Sequence, residues 1–320
     1  MRFVVLGDLH YSIAPDNANY SLREEFFDRI FTSVVRQQPD VVFAIGDTTD
    51  NGSAEEFEGL HYCAKRNGLN FITVNGNHDL LELTKPEIAR YTGNRFPYFA
   101  LYFNPVSGLS DVTDPGAARF LVLDTPRERN PKDHSGWVDA AQLAWLDNQI
   151  VESGDQPLFV FGHHPLTHAT LWSSFPMLSI ANSTQVWSAF SRKRQGRAFY
   201  FCGHNHANSI DRRDNWHFIQ SAAPLRSSDF RVVDFTQEEV SIQTVNIEAN
   251  CSNLLLGQSA NRTTSRTTSR TTSRTTSRTT SRTTNRTTSQ TVAQALGDFG
   301  RMPAKGLRRD RDLRIELTMA

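Results

Sequence analysis

Five times in this chain a short apolar run ends in glycine or asparagine and passes at once to a carboxylate or imidazole. Residues 2–6 run into Gly7-Asp8-Leu9-His10, and residues 40–45 into Gly46-Asp47-Thr48-Thr49-Asp50. Residues 71–74 lead to Asn75-Gly76-Asn77-His78-Asp79, residues 158–161 to Gly162-His163-His164-Pro165, and residues 198–202 to Gly203-His204-Asn205-His206. Short apolar, β-branched runs closed by turn residues read as buried strands handing over to loops. A sheet made of them would bring together residues nearly two hundred positions apart.

Helix signatures separate the strands. Ser21 with Glu24, Ser53 with Glu56 and Asn182 with Gln185 have the spacing of capping boxes, and Gly68 and Gly196 stand where those helices should stop. Residues 139–151 place Leu143, Leu146 and Ile150 on one helical face. Strand–helix alternation predicts an α/β body with a partly parallel sheet. From Trp216 the pattern becomes short strands at 216–220, 230–235 and 240–245, which predicts an antiparallel edge.

Residues 262–289 are seven tandem copies of Arg-Thr-Thr-Ser, one ending in Asn285, with seven positive charges and no apolar side chain. Such a segment cannot bury enough surface to offset chain entropy, so disorder is expected. An Arg-rich tract could touch nucleic acid or acidic surfaces; tract expansion in a tolerant loop is the other reading. The sequons at Asn261 and Asn285 read as accidental. Beyond the repeat, Leu313, Ile315, Leu317 and Met319 alternate with Arg314, Glu316 and Thr318, as in a half-buried strand. The expected organisation is therefore a domain at 1–257, an inserted repeat at 258–293, and a segment at 294–320 whose strand (312–319) returns to the domain.

Charge and cysteine content exclude more than they suggest. The 34 basic and 34 acidic residues balance, but seven of the basic ones lie in the repeat, so the rest is acidic and would repel long nucleic acid. Cys63, Cys202 and Cys251 are too few and scattered for a disulfide framework or thiolate metal site. With no signal-type apolar segment near Met1 and no run of bilayer length, a cytoplasmic protein without membrane partners is expected.

The strand ends supply Asp, Asn and His but not one Cys, the donor set of two borderline-hard divalent ions bound through oxygen and nitrogen. A carboxylate shared by two ions holds them about 3.5–4 Å apart, the spacing that clamps a phosphoryl group. Glycines would let the backbone turn sharply enough to aim the donors at one point.

With these blocks in this order the chain resembles the calcineurin-like metallophosphoesterase superfamily, over residues 2 to about 245. The resemblance implies a four-layer α/β/β/α sandwich of two mixed sheets. It implies that Asp8, His10, Asp47 and His206 hold one metal, and Asp47, Asn77, His163 and His204 the other. The ions would be Mn, Fe or Zn. The reaction implied is hydrolysis of small phosphomonoesters or phosphodiesters, nucleotide types included, by in-line attack of a metal-bridging hydroxide. His78 would steady the phosphoryl group or protonate the leaving oxygen, with Asp50 orienting His78.

Departures from subfamily patterns narrow the class. Protein Ser/Thr phosphatases resemble GDxxDRG and GNHE, whereas here Asp50 precedes Asn51-Gly52 and His78 precedes Asp79. Protein phosphatase activity is disfavoured. The alternatives are a nuclease of the same superfamily and an Arg-repeat interaction protein with a vestigial metal site. Other residues read ambiguously. His164 and His168 could line a substrate mouth or be exposed loop histidines. Arg127, Arg129, Lys132 and His134 form a basic loop that could bind phosphate or merely be solvated. Cys202, Trp137 and Trp145 read as packing.

Overall fold

The central strands are apolar on both faces because both faces are covered. In β1 (Arg2–Leu6), Phe3 and Val5 point one way and Val4 and Leu6 the other, and all four are fully buried. A computed structural model describes residues 1–13, 20–111, 117–247, 306 and 308–317. The first sheet has the spatial order β13 (Leu313–Glu316), β12 (Glu239–Asn246), β11 (Asp229–Phe235), β1, β2 (Val41–Ile45), β3 (Ile72–Val74). The second runs β5 (Gly108–Ser110), β4 (Phe99–Asn104), β6 (Ala118–Val122), β7 (Leu158–Phe161), β8 (Ala198–Cys202), β10 (Trp216–Gln220), β9 (Ser209–Arg213).

Between the sheets lies a core rich in phenylalanine. Phe43 stacks on Phe161 with centroids 3.9 Å apart, and Phe3 meets Phe120, Phe159 and Phe201 edge-on. The outer faces bury helices. Helices α1 (Tyr20–Val35) and α2 (Ala54–Arg66) cover the first sheet through Phe27, Phe31 and Leu60. Helices α4 (Ala140–Glu152) and α5 (Ser183–Phe190) cover the second through Leu146, Ile150 and Phe190. The result is the expected α/β/β/α sandwich. Among the described residues no helix is long and apolar enough to cross a membrane.

Several local expectations need correction. Ser53 accepts from Glu56 N at 3.2 Å, but the Glu56 carboxylate turns to Asn51 instead of closing the box. Asn182 does not cap α5 with its side chain; it exchanges hydrogen bonds with the Val138 backbone. That helix ends at Phe190, well before Gly196. Glu24 faces Tyr11 and Arg66, and the Ser21 side chain lies outside the described residues. Helix α3 (Lys85–Thr92) escaped notice although Thr84 N donates to Glu87 Oε2 at 2.8 Å, a readable start signal. Trp137 is 46% exposed and packs against the Arg127 guanidinium, 5.6 Å from its ring centroid, and not in the core.

Strand β13 pairs antiparallel with β12, Leu313 opposite Ile242 and Glu316 opposite Glu239. Leu313, Ile315 and Leu317 pack against the inter-sheet core. The fully buried Arg231 guanidinium fastens the segment before it, donating to the carbonyls of Asp310 at 2.7 Å and Arg311 at 2.6 Å and to Gln220 O at 3.0 Å. The repeat, both sequons, Cys251 and Met319 lie outside the described residues.

Strands β1, β2 and β3 run parallel in one sheet, and β6, β7, β8 and β10 in the other. The carboxyl ends of β1, β2, β3, β7 and β8 therefore deliver the five motifs to one end of the sandwich, where open α/β sheets gather ligands. Two contacts lock the sheets together there: His204 N donates to Asp8 Oδ1 at 2.7 Å, and His163 Nδ1 to Ile45 O at 3.0 Å.

Candidate metal centre

The predicted residues converge. Asp8, His10, Asp47 and His206 each present one donor atom within 4.8 Å of the others. Beside them, His163 Nε2 lies 3.1 Å from Asn77 Oδ1 and 3.3 Å from His204 Nδ1. One oxygen faces both groups: Asp47 Oδ2 is 3.2 Å from His163 Nε2 and 3.8 Å from His10 Nε2. The other, Oδ1, accepts from His78 N at 2.8 Å, which fixes the carboxylate's direction.

Hydrogen bonds at the periphery decide what the imidazoles offer inward. His163 Nδ1 and His204 Nε2 each face a backbone carbonyl, Ile45 O at 3.0 Å and Met177 O at 3.0 Å, so those nitrogens carry the hydrogens. His10 Nδ1 faces Asp50 Oδ1 at 3.1 Å in the same way. The inward nitrogens are therefore the ones left to face a cation or, without one, to hold a proton against the carboxylates. They crowd one another, with His10 Nε2 only 2.9 Å from His206 Nε2. Asp8 Oδ2 is buried with no hydrogen-bond partner among the described residues. Converging acceptors around an orphaned carboxylate oxygen call for positive charge, so the donor set fits two cations.

The titration behaviour has the same origin. Burial pulls the His163 pKa down, but the Asp47 carboxylate against it prevails and lifts it to about 9. Burial would raise Asp47, but the His163 and His78 charges, the His163 hydrogen bond and the His10 charge together hold it well below the usual range. Burial raises Asp8 to about 6. Burial, then the His163 charge, lowers His204 to about 3; burial, then His10, depresses His206. These last two are neutral bases, the ligand form of imidazole.

The turning is shared between glycine and the candidate ligands. Gly46 has φ of 92°, as expected, and His10, Asp47, His204 and His206 themselves adopt left-handed backbone, with φ of 47°, 46°, 67° and 52°. Such strain at non-glycine residues gathers at functional sites. The motif glycines chiefly permit close approach: a Cβ on Gly76 would lie 2.0 Å from Asp47 N, and one on Gly203 2.5 Å from Asp8 Oδ2.

Asp50 lies beside His78 as expected, its Oδ1 3.8 Å from His78 Nδ1, but that oxygen is closer to His10 Nδ1, at 3.1 Å, and the Asp50 carbonyl takes the His78 Nδ1 hydrogen at 2.6 Å. His164 is fully buried, not an exposed loop residue: its nitrogens face Thr125 Oγ1 and His134 O, both at 2.8 Å, so it has no nitrogen to offer a metal. His168 is exposed. In the basic loop Arg127 is paired with Asp133. Sequence reasoning overlooked Thr48 and Thr49, which with Gly76 N bind the Asp79 carboxylate beneath the centre.

A fold of this kind with this centre defines a class, and comparison with known proteins agrees. The family profile of the calcineurin-like phosphoesterases matches residues 1–208, and the chain belongs to that family of metal-dependent hydrolases. It is 29% identical over 215 residues to a probable cyclic nucleotide phosphodiesterase of Rhodopseudomonas palustris, covering 64% of this chain and 72% of that one. It is 30% identical over 131 residues to a probable glycerophosphodiester phosphodiesterase of Arcobacter nitrofigilis, covering 41% of this chain and less than half, 44%, of that protein. In fold it resembles a dimetal phosphatase from Danio rerio, with a TM-score of 0.61 at 15% identity over 77% of this chain and 96% of that one.

Proposed function

We propose that this chain hydrolyses small phosphomonoesters or phosphodiesters, nucleotide-type esters included, at a pair of divalent cations drawn from Mn, Fe and Zn. Asp8, His10, Asp47 and His206 would hold one, and Asp47, Asn77, His163 and His204 the other. The observation that carries this reading is the single Asp47 oxygen facing both donor groups. The names of the two relatives, both phosphodiesterases of small molecules, support the substrate class.

Bound cations would acidify a water and neutralise charge on the phosphoryl oxygens. The chain's own groups do the rest. The left-handed ligand residues and their peripheral hydrogen bonds hold the donors in place, so little reorganisation accompanies binding. His78 donates through Nδ1 to the Asp50 carbonyl, so Nε2 is the atom that takes up a proton from solvent and, as imidazolium, passes it to the leaving oxygen.

Protein loaded with manganese and assayed on p-nitrophenyl phosphate and bis(p-nitrophenyl) phosphate tests the reading. Turnover of at least one ester, abolished by a chelator, is expected; no metal-dependent turnover of either would refute it. The same assay addresses Asp50. Because its carboxylate orients His10, Asp50→Asn should lower metal affinity and turnover together, each by about 10–100-fold. Full metal retention with depressed turnover would instead mean that Asp50 acts through His78 alone.

A further inference from the structure

Residues 170–179, between β7 and α5, reach the centre without an apolar core to hold them. Leu166 and Ile180 on either side belong to the core under α4 and α5, but the residues between 170 and 179 place no side chain in a hydrophobic cluster among the described residues. Their buried side chains are Thr170, Ser173 and Ser179, while Phe175 and Met177 are exposed. Apolar burial is non-directional and scarce here, so polar contacts set the course of the segment. Trp172 and Met177 have φ of 66° and 63°, a conformation that large side chains keep only where contacts over-determine it.

Two buried amides supply those contacts. Asn205, 5% exposed, shares its NH2 among Leu171 O at 3.2 Å, Leu178 O at 3.3 Å and Gln220 Oε1 at 3.1 Å. Gln220, fully buried at the end of β10, donates to Leu171 O at 3.3 Å and Ala207 O at 2.9 Å, and its Oε1 also accepts from Thr170 Oγ1 at 2.8 Å. The Asn205 oxygen has no hydrogen-bond partner among the described residues, so every hydrogen bond of this side chain goes to the segment or to Gln220.

The segment returns one contact to the centre. Met177 O, next to the Leu178 carbonyl that Asn205 holds, takes the Nε2 hydrogen of His204 at 3.0 Å and leaves His204 Nδ1 facing His163 Nε2, 3.3 Å away. His206 receives no such carbonyl among the described residues; its Nε2 faces His10 and Asp8. The support is one-sided.

We propose that the Asn205–Gln220 amide pair positions one of the two cations, the one assigned to Asp47, Asn77, His163 and His204. By fixing Met177 O on His204 it holds His204 Nδ1 in its inward direction, and the other cation does without it. Neither amide touches a cation or substrate; both are positioning residues that act through His204. The proposal rests on the two-cation reading of the centre. A carbonyl on the outer nitrogen of a ligating imidazole fixes its tautomer and ring direction, and such partners are worth about 10–100-fold in metal affinity.

Titration of the metal-free full chain with zinc in competition with a chromogenic chelator tests it. The ion weakened in Asn77→Ala marks the supported position. Asn205→Ala should weaken that ion about 10–100-fold and leave the other within about threefold of the parent. Thr170→Val, which keeps both amides and removes one hydrogen bond from Gln220, should weaken the same ion about two- to fivefold. In the zinc-loaded chain labelled with nitrogen-15, the His204 Nε2–H resonance, assigned by its absence from His204→Ala, should be lost to exchange with water in Asn205→Ala, while the His163 Nδ1–H on Ile45 O persists. Equal weakening of both ions, weakening of neither, or an unchanged His204 resonance overturns the proposal. If Asn205→Ala does not fold, Thr170→Val decides by the same criterion on the two ions. A parent chain that binds fewer than two zinc ions overturns the two-cation reading and this proposal with it, whereas two ions bound without ester turnover refute the hydrolase reading alone.

Discussion

Asp47→Ala is expected to lower metal-dependent phosphoester turnover by at least about a thousandfold and to reduce bound metal from two ions per chain to one or fewer. Among the described residues Asp47 Oδ2 is the one carboxylate oxygen recorded against both His10 Nε2 and His163 Nε2, so its loss would remove a donor from both proposed positions. It also removes the acceptor of His78 N, freeing the residue assigned to the leaving group. Asp47→Asn separates these effects. The amide can keep its oxygen on His78 N but turns an uncharged NH2 toward the imidazoles, so it should retain the loop and still fail to hold two ions. Elemental analysis after dialysis, beside steady-state assays of both nitrophenyl esters, gives the comparison. An Asp47→Asn protein with two ions and turnover within tenfold of the parent would show that Asp47 bridges nothing.

Much of this centre was legible because its information is local. A buried strand followed by Gly-Asp or Gly-His writes both the element and the donor into consecutive residues, and parallel strands carry such ends to one edge. What local pattern does not encode is direction. Asp50 was read as a carboxylate near His78, and it is near; but its carbonyl serves His78 while its carboxylate serves His10. His163 and His164 illustrate the same point from a strand end. Their rings lie side by side, 4.8 Å apart, yet His163 reaches Asp47 while both His164 nitrogens are taken up by Thr125 and the His134 carbonyl.

Strands β5 and β9 at the edges of the second sheet, and β4 next to one edge, give no clear signal in the sequence. In β9 only Ser209 is buried and Ile210 is half-buried, while Asp211, Arg212 and Arg213 are exposed, so the run shows no apolar alternation. Met177 reaches His204 from an irregular segment whose course is set by long-range hydrogen bonds with Asn205 and Ser209. No spacing announces such contacts.

Asp79→Ala is expected to destabilise the fold by about 3–5 kcal/mol, and this follows from a residue whose sequence position suggested only a subfamily mark. The carboxylate is fully buried and accepts four hydrogen bonds: Thr48 Oγ1, Thr49 N and Thr49 Oγ1 on Oδ1, each at 2.8 Å, and Gly76 N on Oδ2 at 2.9 Å. Burial and the nearby Asp47 charge raise its pKa, and the donors from Thr49 and Gly76 pull the other way. Thr48 and Thr49 directly follow Asp47, and Gly76 directly precedes Asn77, so one side chain sets the distance between two proposed metal ligands on different strands. Asp79→Asn sharpens the expectation. Its oxygen can still accept the three threonine donors, but its NH2 would then face the Gly76 N–H, so the loss should be smaller, about 1–3 kcal/mol. If relief of repulsion with Asp47 were the larger effect, Asp79→Asn would be more stable than the parent. Urea denaturation of the three proteins gives the order. Parent above Asn above Ala is the order the four hydrogen bonds require, and an Ala variant within about 1 kcal/mol of the parent would mean that Asp79 braces nothing.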